Sequence, residues 1–226
     1  MAAHVKSLDS KHLLTVGLEG FYKAATQSAH SDANPGSWAG RMGSDFIEHH
    51  DIPGIDYAPH HVYPHHYLGE HAPWNEMIDY YTQAIMAHHA DGEVLNMPVV
   101  LAEFSIPTTQ RSLLFSKAYE LIYNNAQAGG AAAGGMYWVA MAFGSSNNGG
   151  WDVFYPGSQD VIPLIQKHAA DMKKLMESRA EGFTIESKSS VEGVTKATGA
   201  GDECGVEGGV LGYGDVYVGV KSDACV

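Results

Sequence analysis

The chain has 226 residues, 45% of them hydrophobic and 17% charged, and its 26 acidic against 13 basic residues leave a net charge of −13 with histidine neutral. That much apolar material offsets chain entropy and excludes a wholly disordered chain. An acidic balance argues against a nucleic-acid partner, which needs a basic patch, and no run approaches the roughly 20 apolar residues of a membrane span. In chain order, apolar and β-branched runs at His12–Leu18, Ile55–Tyr63, Val99–Phe104 and Gly135–Val139 read as strands. Helical periodicity fills the intervals. Trp38–His50 is a short helix. Trp74–His89 carries Met77, Ile78, Tyr81, Ile85 and Met86 on one face, with Pro73 suited to its first turn. Arg111–Ala126 aligns Leu114, Phe115, Ala118, Leu121 and Ile122, and Gly129-Gly130 suits its end. Asp160–Ser178 does the same with Ile162, Ile165, Ala169, Met172 and Leu175. Strand and helix alternating four times predict an α/β fold with a parallel sheet, and the MPVVLAEF run suits a strand buried on both faces.

From about residue 181 the composition changes. Residues 181–226 hold ten glycines and both cysteines, Cys204 and Cys225, without sustained helical period. They are expected to form a Gly-rich, disordered tail behind one domain spanning 1–180, with a late hairpin around GDVYVGV as the other reading. Two cysteines so placed make neither a disulfide framework nor a thiol catalyst. The N-terminal MAAHVKSLDSKHLL shows no signal peptide.

In β/α architectures the loops after the strands form the mouth of the pocket, so chemistry gathers at C-terminal strand ends. The sequence puts Glu19 (VGLEGFY), His61 and Tyr63 (HHVYP), Glu103 (LAEFS) and Trp138 (MYWVA) there. Two acids, a histidine, a tyrosine and an indole suit a carbohydrate site, where carboxylates act as nucleophile or acid and an indole face stacks on a sugar ring. An acid inside a buried apolar run needs a partner or a task, so Glu103 reads as functional. Glu19 stands at even odds, Trp138 alone reads as core, and Tyr63 is open.

The segments LLTVGLEGFY, NPGSWAGRMGSDFIEHHDIPGIDYAPHHVYP, MPVVLAEFS and AGGAAAGGMYW, in that order, resemble the second half of plant-type endo-β-1,4-mannanases of glycoside hydrolase family 5. The resemblance runs from about Leu13 to about Met176 and implies strands five to eight of a TIM (β/α)8 barrel, a half-barrel. It implies retaining hydrolysis of mannan-type polysaccharide with Glu103 as nucleophile and His61 and Tyr63 lining the site, the tyrosine hydroxyl near the nucleophile. Trp138 becomes the sugar platform and Glu19 a substrate-contacting acid, with neither metal nor organic cofactor. Secretion to the cell wall is implied likewise.

The departures are specific. The family's acid/base lies in an Asn-Glu-Pro motif at the fourth strand, and the sequence has none; Asn75-Glu76 precedes Met77 at a helix start. Glu19 is not expected to replace it. Ser105 stands where glycine is common, and His65-His66 where an aspartate is usual. The sequence is therefore expected to be part of a longer enzyme. Alone, its open sheet edges favour self-association. A non-catalytic carbohydrate-binding remnant using Trp138, Tyr63 and Trp74, or a related β-1,4-glucanase, are the alternatives. The doublets His49-His50, His60-His61, His65-His66 and His88-His89 lack the spacing of a zinc motif and read as solvated histidines.

Overall fold

In the computed structural model the described residues are 1–24, 33–142, 144–145 and 149–192, with side chains described to residue 180. The elements in order are α1 (Ala2–Leu8), a 3₁₀ turn (Ala39–Arg41), α2 (Phe46–His50), β1 (Ala58–Val62), α3 (Pro64–Leu68), α4 (Trp74–Val94), β2 (Val99–Phe104), α5 (Arg111–Gln127), β3 (Ala132–Gly135), β4 (Ala140–Ala142), β5 (Val153–Tyr155) and α6 (Ile162–Glu192). β1, β2 and β3 form one parallel sheet in that order, with α4 and α5 as its crossovers. β4 and β5 form a separate parallel pair.

The long helices follow their apolar stripes. α4 buries Met77, Tyr81, Ala84, Ile85 and His88, and α5 buries Leu114, Phe115, Ala118, Ile122 and Ala126. These stripes close over Leu101 and Phe104 of β2, and Met172 of α6 completes the cluster. Val99, Val100 and Leu101 are fully buried, as a strand covered on both faces must be. β3 is built from Ala and Gly because α5 lies so close: a Cβ on Gly135 would come within 2.9 Å of Ile122 Cδ1.

Several expected boundaries are corrected. The expected strand over His12–Leu18 forms no ladder; it runs extended beside β1, with Asp56 N–H donating to Leu14 O at 2.8 Å and His61 N–H to Glu19 O at 3.1 Å. Side chains take the ladder's place there: the Asp56 carboxylate accepts from Leu14 N–H, and the Thr15 hydroxyl donates to Tyr57 O. The parallel sheet thus has three strands where four were expected, and it is an open sheet, not a closed barrel. The expected strand over Gly135–Val139 sits earlier, at β3, so Trp138 lies past the strand end. The helix expected over Trp38–His50 is split by Gly43, whose φ of 86° is left-handed, and α2 restarts at Asp45, whose carboxylate accepts from Glu48 N–H. α6 continues past Ser178 to Glu192; residues 193–226, where most of the expected tail and its hairpin fall, lie outside the described residues.

One irregularity sets up the site. β1 and β2 pair His60 with Leu101 but His61 with Glu103, so Ala102 is an extra residue in β2. The side-chain period of a strand is two, so without this bulge Glu103 would share the face of Leu101. With it, Leu101 stays in the core and Glu103 comes beside His61.

Candidate active site

Glu103, next to last in β2, meets Tyr63, which follows β1 directly. The Tyr63 hydroxyl donates to Glu103 Oε2 at 2.7 Å. His61 Nδ1 lies 3.6 Å from the same Glu103 oxygen and 3.4 Å from Glu19 Oε1. Only the Nδ1–H tautomer makes both approaches favourable. The other Glu19 oxygen accepts from the Tyr67 hydroxyl. Glu19, His61, Tyr63 and Glu103 therefore converge on one place, with side-chain exposures of 46% for Glu19, 31% for Glu103 and 15% for His61.

The electrostatics follow from these contacts. His61, then Tyr67, holds the Glu19 carboxyl below the usual carboxylate range against the opposing effect of burial. Burial, then the bond to Glu103, pushes the Tyr63 phenol far above its ordinary value, and Tyr67 is raised by burial and by Glu19. Both tyrosines remain neutral donors at any working pH. An ionised carboxylate accepting such a bond is stabilised and oriented.

Trp138 lies past β3, its backbone N–H donating to Phe104 O at 3.0 Å, and the residue is 43% exposed. With Tyr63, His66 and Trp151 it lines a cleft of about 250 Å³. Trp151 stands edge-on to Tyr63, ring centroids 5.7 Å apart. Arg111 at the start of α5 fixes this loop: it donates to Asp152 O at 2.6 Å and grips both oxygens of Asp160 at 2.9 Å.

The structure thus brings Trp138 and Tyr63 to one cleft, and Glu19 and His61 to Glu103 beside it. Sequence reading missed Tyr67, His66 and Trp151. Pro64 at the first position of a helix was the usable signal for α3, which carries the first two; Trp151 sits in a glycine-rich stretch with no periodicity to read. Trp74, offered as a platform for a binding remnant, packs instead against the core at the start of α4. Glu76 lies in the exposed first turn of α4.

The histidines are corrected as well. His50, His60, His88 and His89 are buried, not solvated. In the doublets of α2 and β1 one member turns inward, His50 and His60, whereas α4 is covered widely enough to bury both His88 and His89. His60 and His88 stack at 4.1 Å, and the two His88 ring nitrogens lie 2.7 and 2.8 Å from Ala84 O and Gly20 O. Among the described residues no group of histidines, cysteines and acids is arranged to hold a metal ion.

No family model matches the chain. It is 34% identical over 195 residues to mannan endo-1,4-β-mannosidase 7 of Arabidopsis thaliana, covering 82% of this chain and 44% of that protein. The endo-β-1,4-mannanase of Thermotoga petrophila superposes with a TM-score of 0.61 at 25% identity, covering 76% of this chain and 38% of that one. A glycoside hydrolase family 5 mannosidase from Rhizomucor miehei shares the fold, with a TM-score of 0.59 at 17% identity over 78% of this chain and 47% of that one. The chain spans less than half the length of the curated relatives it matches. By sequence and by fold it belongs with the plant-type mannan endo-1,4-β-mannosidases of glycoside hydrolase family 5, and it carries a part of their TIM barrel.

Proposed function

We propose that this chain carries the nucleophile side of a retaining β-1,4-mannan hydrolase, with Glu103 attacking the anomeric carbon. The observation that carries the reading is the 2.7 Å bond to Glu103 from Tyr63, which itself lines a cleft with two tryptophans. A retaining nucleophile must be ionised and held in line. Tyr63 holds the carboxylate in place without giving up its own proton. Trp138, which lines the cleft with Trp151, offers an apolar face on which a pyranose ring stacks.

The leaving-group oxygen needs a proton, and Glu19 is poorly suited to give it. A general acid must carry its proton near the working pH, whereas His61 and Tyr67 keep Glu19 ionised. The proposal therefore leaves the acid outside the described residues, as the missing Asn-Glu-Pro motif does. The substrate is mannan-type cell-wall polysaccharide, and secretion is part of the same proposal.

The test separates ester formation from acid catalysis. A 2-deoxy-2-fluoro-β-mannoside with a dinitrophenolate leaving group needs no proton on departure, and its fluorine slows breakdown of the ester. Peptide mapping of the treated chain is expected to show the sugar on Glu103, with none bound in Glu103→Gln. An ester on Glu19, or no ester together with retained binding of mannohexaose, would overturn the reading in favour of a binding remnant. Faster labelling by the matching glucoside would reassign the site to β-1,4-glucan.

A further inference from the structure

His61 stands between two carboxylates, and each also accepts from a tyrosine: Tyr67 on the second oxygen of Glu19, and Tyr63 on the same Glu103 oxygen that His61 approaches. The order is Tyr67, Glu19, His61, Glu103, Tyr63. The two tyrosine rings meet edge to face at 6.2 Å, which closes the chain into a loop of contacts. The Nδ1 hydrogen of His61 has two acceptors, at 3.4 and 3.6 Å, and neither distance is that of a fully formed hydrogen bond. One ring nitrogen thus faces two carboxylates.

We propose that Glu19 and Tyr67 are positioning residues that act on Glu103 through His61, by offering its ring hydrogen a second acceptor. The proposal rests on the reading of Glu103 as nucleophile. During that reaction the two acceptors diverge. Glu103 loses its negative charge when one of its oxygens forms the ester and the glycosidic bond breaks toward the leaving group, and regains it on hydrolysis. Glu19 keeps its charge throughout. In the free site the His61 nitrogen faces both carboxylates, 3.4 Å from Glu19 and 3.6 Å from Glu103; in the ester Glu19 remains as its charged acceptor, so the donor keeps a partner in either state.

Tyr67 makes this possible by gripping one Glu19 oxygen and so aiming the other at His61. The ionised state that His61 and Tyr67 impose on Glu19 keeps that acceptor available. The other titratable groups near it are His66 on α3 and Tyr80 on α4, whose phenol burial and Glu19 together hold neutral. His60, the neighbour of His61 on β1, is fully buried against α4 and held neutral by burial. Both Glu19 oxygens thus already have protein donors, which fits a positioning role better than the direct sugar contact expected from sequence.

The test reads the shared hydrogen directly. In ¹H–¹⁵N NMR spectra of the whole chain, the His61 Nδ1–H resonance is assigned by its loss in His61→Gln and then followed in Glu103→Gln, Glu19→Gln and Tyr67→Phe. The resonance is expected to shift in all three. Tyr67→Phe is decisive, because it removes one oxygen that does not touch His61 and leaves the fold least disturbed if Glu19→Gln does not fold. In the same variant the rate of ester formation on Glu103 is expected to fall roughly threefold to tenfold, the effect of one modest hydrogen bond. A resonance that moves in Glu103→Gln but stays in place in both Glu19→Gln and Tyr67→Phe would overturn the proposal. Absence of any ester in the unaltered chain would count against Glu103 as nucleophile instead, and the resonance would still decide whether the hydrogen is shared.

Discussion

Gly20 joins the candidate site to the buried histidines, and Gly20→Ala puts that junction to a quantitative test. Its φ of 91° is left-handed, which costs an L-residue about 1–2 kcal/mol. An added Cβ would also come within 2.6 Å of His60 Cβ and 2.8 Å of His88 Nε2. Neither atom is the free end of a flexible chain: one is fixed to β1, and the other is bonded to the carbonyl of Gly20 itself. Overpacking of this kind costs about 1–3 kcal/mol. Together the two effects predict a loss of about 2–5 kcal/mol, a large share of the stability of an ordinary domain, and a fall in Tm of roughly 5–15 °C. Two controls separate the contributions. Gly129 at the end of α5 has a φ of 88° with open space around it, so Gly129→Ala reports the backbone cost alone; Gly17 has neither feature, and Gly17→Ala is expected to be nearly silent. Urea unfolding of the three variants, compared at constant m, gives the ranking. A loss in Gly20→Ala within about 0.5 kcal/mol of that in Gly129→Ala would refute the steric argument, since the overpacking cost would then be absent.

Four further outcomes are expected. Tyr63→Phe should slow ester formation on Glu103 roughly 10- to 100-fold, the range for a hydrogen bond to a charged group, with the labelled position unchanged. Stability should fall as pH drops from 6.5 toward 4: burial lowers His89 and His168 from 6.5 to about 4 in the folded chain, so over that window the unfolded chain binds more protons. Each such group costs about 1.4 kcal/mol per pH unit, and a urea midpoint flat between pH 7 and 4 would contradict the burial of these rings. Arg111→Lys should lose the two-pronged grip on Asp160 and hasten hydrogen exchange around Trp151, while exchange in β2 stays slow. Sedimentation of the isolated chain should show concentration-dependent association through the edge of the three-stranded sheet at β3, and a strict monomer at every concentration would remove that proposal.

The identity of the long elements was determined within single segments. α4, α5 and α6 were legible because each carries its own apolar stripe, and β2 because six consecutive residues offered nowhere for water. Glu103 stood out for the same local reason, an acid at the end of a run that has to be buried. The shorter elements were less legible, since α3 and the β4–β5 pair have too few residues to display a period, and the extended stretch before Glu19 yields its ladder bonds to the Asp56 and Thr15 side chains. The inward turn of His50, His60, His88 and His89 belongs to the tertiary structure, because a histidine doublet does not say whether the next layer will cover one member or both. So do the contacts at the site, which join residues 40 to 48 positions apart: Tyr63 to Glu103, His61 to Glu19 and Tyr67 to Glu19. Ala102 shows the difference most clearly. Nothing in VVLAEF marks it as an extra residue, since a bulge is a relation between two strands, yet it is this bulge that turns Glu103 from the core face to His61.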